Sequence, residues 1–428
     1  MTEPRFDRTH TDDLMRFIQA SPSPYHAVAN AAKQLVTAGF TETAETDAFP
    51  TEPGGHYLIR GGTLVAWWVP DGAPAHTPFR IVGSHTDSPN LRIKPRPDTG
   101  RAGWRQVGIE VYGGPLWNSW LDRDLGLSGR LALADGSQRL VHIEQPFLRV
   151  PQLAIHLHRS TNEALTLDPQ THLEPVWGLG TPTDGELIAY VAKHAGVAAE
   201  DVLGWDLMTH DVQPPAYLGR DGELLAAPRM DNLVSVHASV AAVISAVGNG
   251  DSIPVMVAND HEEIGSKSDT GAEGPLLLTV LRRLVHSRGG SYDDEARALA
   301  GSFCISADMG HAVHPNYPEK HEPNHQPVPN GGPMLKVNAT QRYTTDANGR
   351  ALFATTCEKA GVPWQIFVSN NRQPCGSTIG PSTAAGVGIR TVDIGVAALS
   401  MHSARELCGA ADPYLLASCL AAFSKVEL

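Results

Sequence analysis

At 428 residues the chain exceeds what a single hydrophobic core usually organises, so two domains are expected, each large enough to bury a full interior without staples. Hydrophobic residues at 42% and charged residues at 18% are ordinary for a globular enzyme, and a formal net charge of -13 argues against partners that need a basic face, namely nucleic acid and anionic membrane surfaces. Five cysteines, Cys304, Cys357, Cys375, Cys408 and Cys419, form no C-x-x-C pair, and no apolar run has signal-peptide or transmembrane length, so a cytoplasmic protein of a reducing compartment is the expectation.

Thr11 to Ala20 and Pro24 to Ala38 read as two helices, the first opened by Thr11 or Asp12 and the second following the Ser-Pro-Ser-Pro break. Strand-like runs follow at Leu64 to Val69 and Phe79 to Gly83, and the second leads directly into Ser84-His85-Thr86-Asp87-Ser88-Pro89. A histidine two residues before an aspartate, just past a strand, suits a metal-ligating imidazole with a carboxylate near its other ring nitrogen. An ordinary surface histidine gives the same local pattern. From Leu91 to about Pro228 the texture changes to alternating or β-branched runs (Val107 to Tyr112, Leu127 to Ala134, Leu140 to Ile143) broken by Gly and Pro, which predicts a β-rich insertion. Inside it, Pro151-Gln-Leu-Ala-Ile-His-Leu-His-Arg159 would set His156 and His158 on one face of a strand, with structural or exposed histidine as the plain reading. Thr183 to Leu187 resembles a helix start.

The α/β texture returns at Ala227-Pro-Arg-Met-Asp231-Asn232, where Leu233, Val236, Val240, Val243 and Val247 follow at helical spacing and Gly248 and Gly250 end the helix. Asp231 at such a start is most simply an N-cap. Ile253 to Ala258 is a short apolar run that suits a buried parallel strand, and it ends in Asp260-His-Glu262-Glu263. Neighbouring carboxylates diverge, so one can bind a metal while the other takes a proton from a metal-activated water; a solvated acidic loop is the alternative. Two more runs lead into Asp308 and, beyond Thr391 to Gly395, into His402, and a last helix spans about Pro413 to Val426.

Four separate apolar runs thus end near His85, Glu262/Glu263, Asp308 and His402, with Asp231 opening a helix beside them. In open α/β sheets ligands gather beyond the carboxyl ends of strands, so the set is expected to converge. Two histidines and three carboxylates suit a pair of zinc ions with Asp231 bridging. Asp231, Glu263, Asp308 and a hydroxide would balance two divalent ions, which leaves Glu262 free to act as general base.

The segments GSHTDSP (83 to 89), DRDLGLSGRL (122 to 131), PQLAIHL (151 to 157), RMDNL (229 to 233), DHEEIGS (260 to 266), SADMGHAVHPNYPEKHEPNH (306 to 325), LKVNATQRY (335 to 343), PCGSTIGP (374 to 381) and MHSARE (401 to 406) resemble, in order and across almost the whole chain, the aspartyl aminopeptidase family of dizinc exopeptidases. The resemblance implies a three-layer α/β/α zinc-peptidase domain, residues 1-90 and 229-428, split by a β-rich dimerisation domain, residues 91-228. It further implies His85, Asp231, Glu263, Asp308 and His402 as ligands of two divalent ions, Glu262 as catalytic base, and Asp87 on the second nitrogen of His85. A metal-bridging hydroxide would attack peptides that carry a free N-terminus. Lys336 would meet an acidic side chain, against the ordinary expectation of a surface lysine. His156 would reach a partner's site, and dimers would build a dodecamer. A dizinc hydrolase of other specificity, a neutral aminopeptidase or deacylase, shares the donor set. An inactive self-assembling scaffold would lack a ligand or the base, and none is missing.

Overall fold

Four short runs of small and β-branched residues lie side by side and point the same way. The structure, a computed structural model, describes residues 8–248 and 251–426, and among these Ile253–Asn259, Phe79–His85, Phe303–Ala307 and Arg390–Gly395 form the parallel centre of a nine-stranded sheet. The first three are buried along their whole length, which is why they read as continuous apolar runs rather than alternating ones. Alternate residues leave opposite faces of a strand. Val82, Met256, Ala258 and Ile305 therefore join one apolar cluster with helices Arg8–Ala20, Pro24–Thr37, Met230–Ser245, Ala347–Ala360 and Asp412–Phe423. Ile81, Val255, Val257 and Cys304 join a second cluster with helix Leu276–Ser287 on the other face. The result is three layers, α/β/α.

Proline is uncommon inside a central strand because it lacks the N–H of the ladder. Pro254 is tolerated because Ile253 donates to the Pro78 carbonyl at 2.9 Å, while pairing on the opposite side, with Thr63–Val69, begins only at Val255. Antiparallel strands Thr63–Val69 and Met334–Val337 flank the parallel centre.

The strands between Asn90 and Asp211 form a separate six-stranded antiparallel sheet around its own core, which includes Leu187, Ile188 and Val191 of helix Glu186–Ala195. The hairpin Ala216–Leu218 and Leu224–Ala227, within the same compositional stretch, pairs instead with Glu406–Gly409 in a third sheet.

Two local expectations change. Pro151 to Arg159 is not a strand: bridging ends at Val150, which meets Leu121, and Ile155 to Leu157 form an exposed turn that carries His156. With no strand alongside, the ladder bonds that would hold the segment extended have no partner, and His156 and His158 share no strand face. The helix from Met230 does not start with an N-cap aspartate. Arg229 has φ +54°, Asp231 and Asn232 have non-helical backbone angles, and no side-chain cap bond forms. The helix ends at Ser245; Gly248 follows with φ +82°, and Gly250 lies outside the described residues.

Candidate active site

The carboxyl ends of three adjacent parallel strands supply the site. His85 is the last residue of its strand, Asp308 follows Ala307, and Glu262 and Glu263 lie in the short turn beyond Asn259. Asp231 arrives from the head of the helix packed beneath, and His402 from the loop between Ala397–Leu399 and Glu406–Gly409. Asp231 stands at the centre. Its Oδ1 lies 3.3 Å from His85 Nε2, and its Oδ2 lies 3.4 Å from His402 Nε2. His85 Nε2 is also 3.4 Å from Asp308 Oδ1, and His402 Nε2 is 3.4 Å from Glu263 Oε2. Two donors on a tetrahedral zinc, each at about 2.0–2.1 Å, stand about 3.3–3.4 Å apart, so these spacings are those of ligands sharing an ion. Asp231 Oδ1 and Glu263 Oε1 are buried and have no hydrogen bond among the described residues. Such atoms are costly unless a partner satisfies them. Among the described residues the donors fall into the groups His85/Asp231/Asp308, His85/Glu262/Glu263 and Asp231/Glu263/His402, and the set fits divalent cations.

Each imidazole is oriented by its far nitrogen. His85 Nδ1 lies 3.0 Å from the Asp87 carbonyl and 3.4 Å from its Oδ1; His402 Nδ1 lies 3.0 Å from the Gly114 carbonyl. A proton on Nδ1 makes these contacts bonds and turns the Nε2 lone pair toward the carboxylates. Asp87, fully buried, also accepts the backbone N–H groups of Glu262 and Glu263, both at 3.1 Å, and the Tyr112 hydroxyl at 2.7 Å.

Surplus negative charge dominates the electrostatics. Burial pushes the Glu262 carboxyl up to about 8; His85 opposes this, and the charges of Asp308, Asp87 and Asp231 add to it. Burial, then Asp231, holds Glu263 well above the carboxylate range. The imidazoles answer in the same sense: burial would lower His402, but Asp231 and Glu263 raise it to about 10, and Asp231, Asp308 and Asp87 overcome burial to raise His85. Five carboxylates around two imidazoles make a site that demands cations.

Lys336 is not a surface lysine. It is 1% exposed, its Nζ donates to the Met309 carbonyl at 2.7 Å and lies 3.8 Å from Asp308 Oδ2, and the Tyr343 ring centroid is 5.5 Å away. His156, by contrast, lies on the exposed turn and does not join the cluster within this chain. Two neighbours are given no role by the sequence pattern. Glu406 accepts the backbone N–H groups of Asp231 at 2.9 Å and His402 at 3.0 Å, tying two candidate ligands together, and Tyr112 grips Asp87 from the antiparallel sheet.

A parallel α/β sheet whose strand ends present this donor set defines a metal-dependent hydrolase. The sequence matches the profile of the Aminopeptidase I zinc metalloprotease (M18) family over residues 17–424, and the chain belongs to that family of zinc-dependent aminopeptidases. It is 66% identical over 424 residues to a probable M18 family aminopeptidase 2 of Streptomyces coelicolor, covering 98% of each chain. Among solved structures, it is similar to that of the Ape4 and Nbr1 complex, with a TM-score of 0.94 and 35% identity over 98% of this chain and 86% of the other. It is also similar to the S. cerevesiae mApe1 dodecamer, with a TM-score of 0.86 and 30% identity over 98% and 97%.

Proposed function

We propose that this aminopeptidase releases N-terminal residues, acidic ones in preference, with two zinc ions held by His85, Asp231, Glu263, Asp308 and His402. The observation that carries the reading is Asp231, whose two oxygens face two different imidazoles at 3.3 and 3.4 Å, the arrangement of a carboxylate shared by two ions. When bound, the ions would polarise the scissile carbonyl, acidify a water and anchor the free α-amine, which limits cleavage to the first residue.

Glu262 is outside the two ligand groups built on Asp231 and lies 4.0 Å from His85 Nε2 through its Oε2. It takes the proton of the attacking water and hands it to the departing amine. Asp87 keeps His85 turned to the site. Lys336 supplies a cation where a chain of net charge -13 would otherwise repel an acidic side chain, and its ammonium keeps donors beyond the one given to Met309.

His156 completes a neighbouring subunit's site as an oxyanion donor. Exposed Leu153, Ile155 and Leu157 beside it suit burial against a second copy. In this reading residues 91-228 form the dimerisation domain inserted into the catalytic domain of 1-90 and 229-428, apart from the hairpin of Ala216–Leu218 and Leu224–Ala227, which pairs with Glu406–Gly409 of the catalytic part. The dodecamer of the similar S. cerevesiae protein is the assembly proposed for this chain. Among the described residues no helix is long and apolar enough to cross a membrane, and the cytoplasm is the proposed location.

The test is a panel of aminoacyl anilides assayed before and after chelation, with metal analysis. Asp and Glu substrates should be cleaved fastest, activity should vanish with the chelator and return with zinc, and two zinc ions should be found per chain. Equal cleavage of N-acetylated substrates, or indifference to the chelator, would sink the proposal.

A further inference from the structure

Tyr112 ends strand Trp104–Tyr112 of the antiparallel sheet, opposite Asn90 in the neighbouring strand, and its side chain is buried against the catalytic strand ends. The Arg92 guanidinium covers its ring, with Cζ 4.2 Å from the centroid, a cation–π contact that restrains the ring plane. The hydroxyl donates to Asp87 Oδ2 at 2.7 Å. That oxygen also accepts from Glu263 N, while Oδ1 accepts from Glu262 N and faces His85 Nδ1. One carboxylate therefore holds the backbone of both glutamates and lies 3.4 Å from the ring nitrogen of a candidate ligand, which the Asp87 carbonyl meets at 3.0 Å. The phenol's bond is the shortest of those that fix the carboxylate's orientation, since a carboxylate with partners on both oxygens cannot rotate without breaking them.

The next two residues extend the grip. A Cβ added at Gly113 would stand 3.2 Å from Glu263 Cβ, so the backbone passes hard against that glutamate, and the Gly114 carbonyl holds His402 Nδ1. Leu116 N donates to the His402 carbonyl at 2.9 Å, and Ala404 N donates to Ser119 Oγ at 2.9 Å. The stretch from Tyr112 to Ser119 thus touches the His85 side and the His402 side of the cluster.

We infer that Tyr112 is a positioning residue of the metal centre: held by Arg92, its hydroxyl fixes Asp87 and through it His85, Glu262 and Glu263, so that the inserted sheet sets the affinity for zinc. The inference rests on the metal site proposed above. Burial and the Asp87 charge both push the phenol's pKa upward, so it remains a donor across the working pH range.

The experiment is a zinc titration of purified full-length protein in competition with a chromophoric chelator. Tyr112→Phe is expected to weaken zinc binding by about 10-fold, the lower end of the range for a group that orients a ligand, because it acts through Asp87. Asp87→Asn should weaken it as well, and the double variant should bind no worse than Asp87→Asn alone to within about two-fold, because the phenol acts through that carboxylate. An affinity for Tyr112→Phe equal to wild type, or additive losses in the double variant, overturns the proposal. Should Tyr112→Phe not fold, Arg92→Met reports the same contacts from their other end: weaker zinc binding supports the proposal, and unchanged binding overturns it. Wild-type protein that takes up no zinc would remove the metal-site reading itself.

Discussion

The strand-end cluster and the turn that carries His156 are built on opposite terms. In the cluster several candidate groups are tied within one chain: the Asp87 carbonyl on His85, Glu406 on the backbones of Asp231 and His402, the Met309 carbonyl on Lys336. The turn is held only by short-range backbone bonds, Leu157 N to the Ala154 carbonyl at 2.9 Å and His158 N to the Ile155 carbonyl at 3.3 Å. Leu153 and Leu157 are 59% and 74% exposed on either side of His156. A group inside a closed hydrogen-bond network has its orientation settled before any ligand arrives, whereas a group on a bare apolar turn acquires one only by contact. The contrast separates what one protomer organises alone from what, in the proposed dimer, it would offer to a second.

The strongest way to break this contrast is at Glu262. Glu262→Gln is expected to keep the fold and the full metal complement, since it removes a base and leaves the ligands intact, while turnover falls by about 10²- to 10⁴-fold. Metal analysis beside a kcat within a few-fold of wild type would take the base role away from it. His156→Ala comes next, with an expected loss of about 10²- to 10³-fold for one oxyanion donor. Co-expressed with Glu262→Gln, it should yield mixed dimers in which one of two sites is intact, restoring up to about half of wild-type activity if the sites act independently. Mixed dimers verified by mass spectrometry and still silent would place His156 outside the reaction.

Lys336→Met sharpens the comparison from the buried side. The substitution should lower kcat/KM for Asp and Glu substrates by about 2 kcal/mol or more beyond the loss on Leu or Ala substrates. Equal losses on all four would assign the lysine to support of Asp308 alone. The smallest effect belongs to the turn. Leu157→Ser should leave protomer stability within about 0.5 kcal/mol, as exposed positions do, while loosening the dimer in sedimentation. Leu281→Ala, in the fully buried core beneath the parallel strands, should cost about 2–5 kcal/mol in denaturant unfolding.

Which residues were legible in the sequence follows from the same contrast. His85 and Asp308 could be found because a parallel strand buried on both faces is a continuous apolar run, and the residue beyond it is marked by position. Asp231 was harder, since its local context is that of an N-cap and only the non-helical backbone at Asp231 and Asn232 turns the carboxylate elsewhere. Lys336 could not be told from a surface lysine, because its partners Asp308 and Met309 lie more than twenty residues away. Tyr112 looked like the last apolar residue of an alternating strand. Its bond to Asp87 joins two sheets, and no periodicity within either one encodes it. His156 was misplaced on a strand because pairing is a property of neighbours, and the chain leaves its neighbours at Val150.

The exposure of the two imidazoles has a kinetic consequence. The His85 side chain is 1% exposed and that of His402 is 31% exposed, with Asp231 between them. In the proposed two-ion reading, an ion held by Asp231, Glu263 and His402 would lie beside a partly open imidazole, and one held by His85, Asp231 and Asp308 beside a buried one. If two ions bind as proposed, the one beside the more exposed His402 is expected to exchange faster, and biphasic zinc release to a chelator would show it.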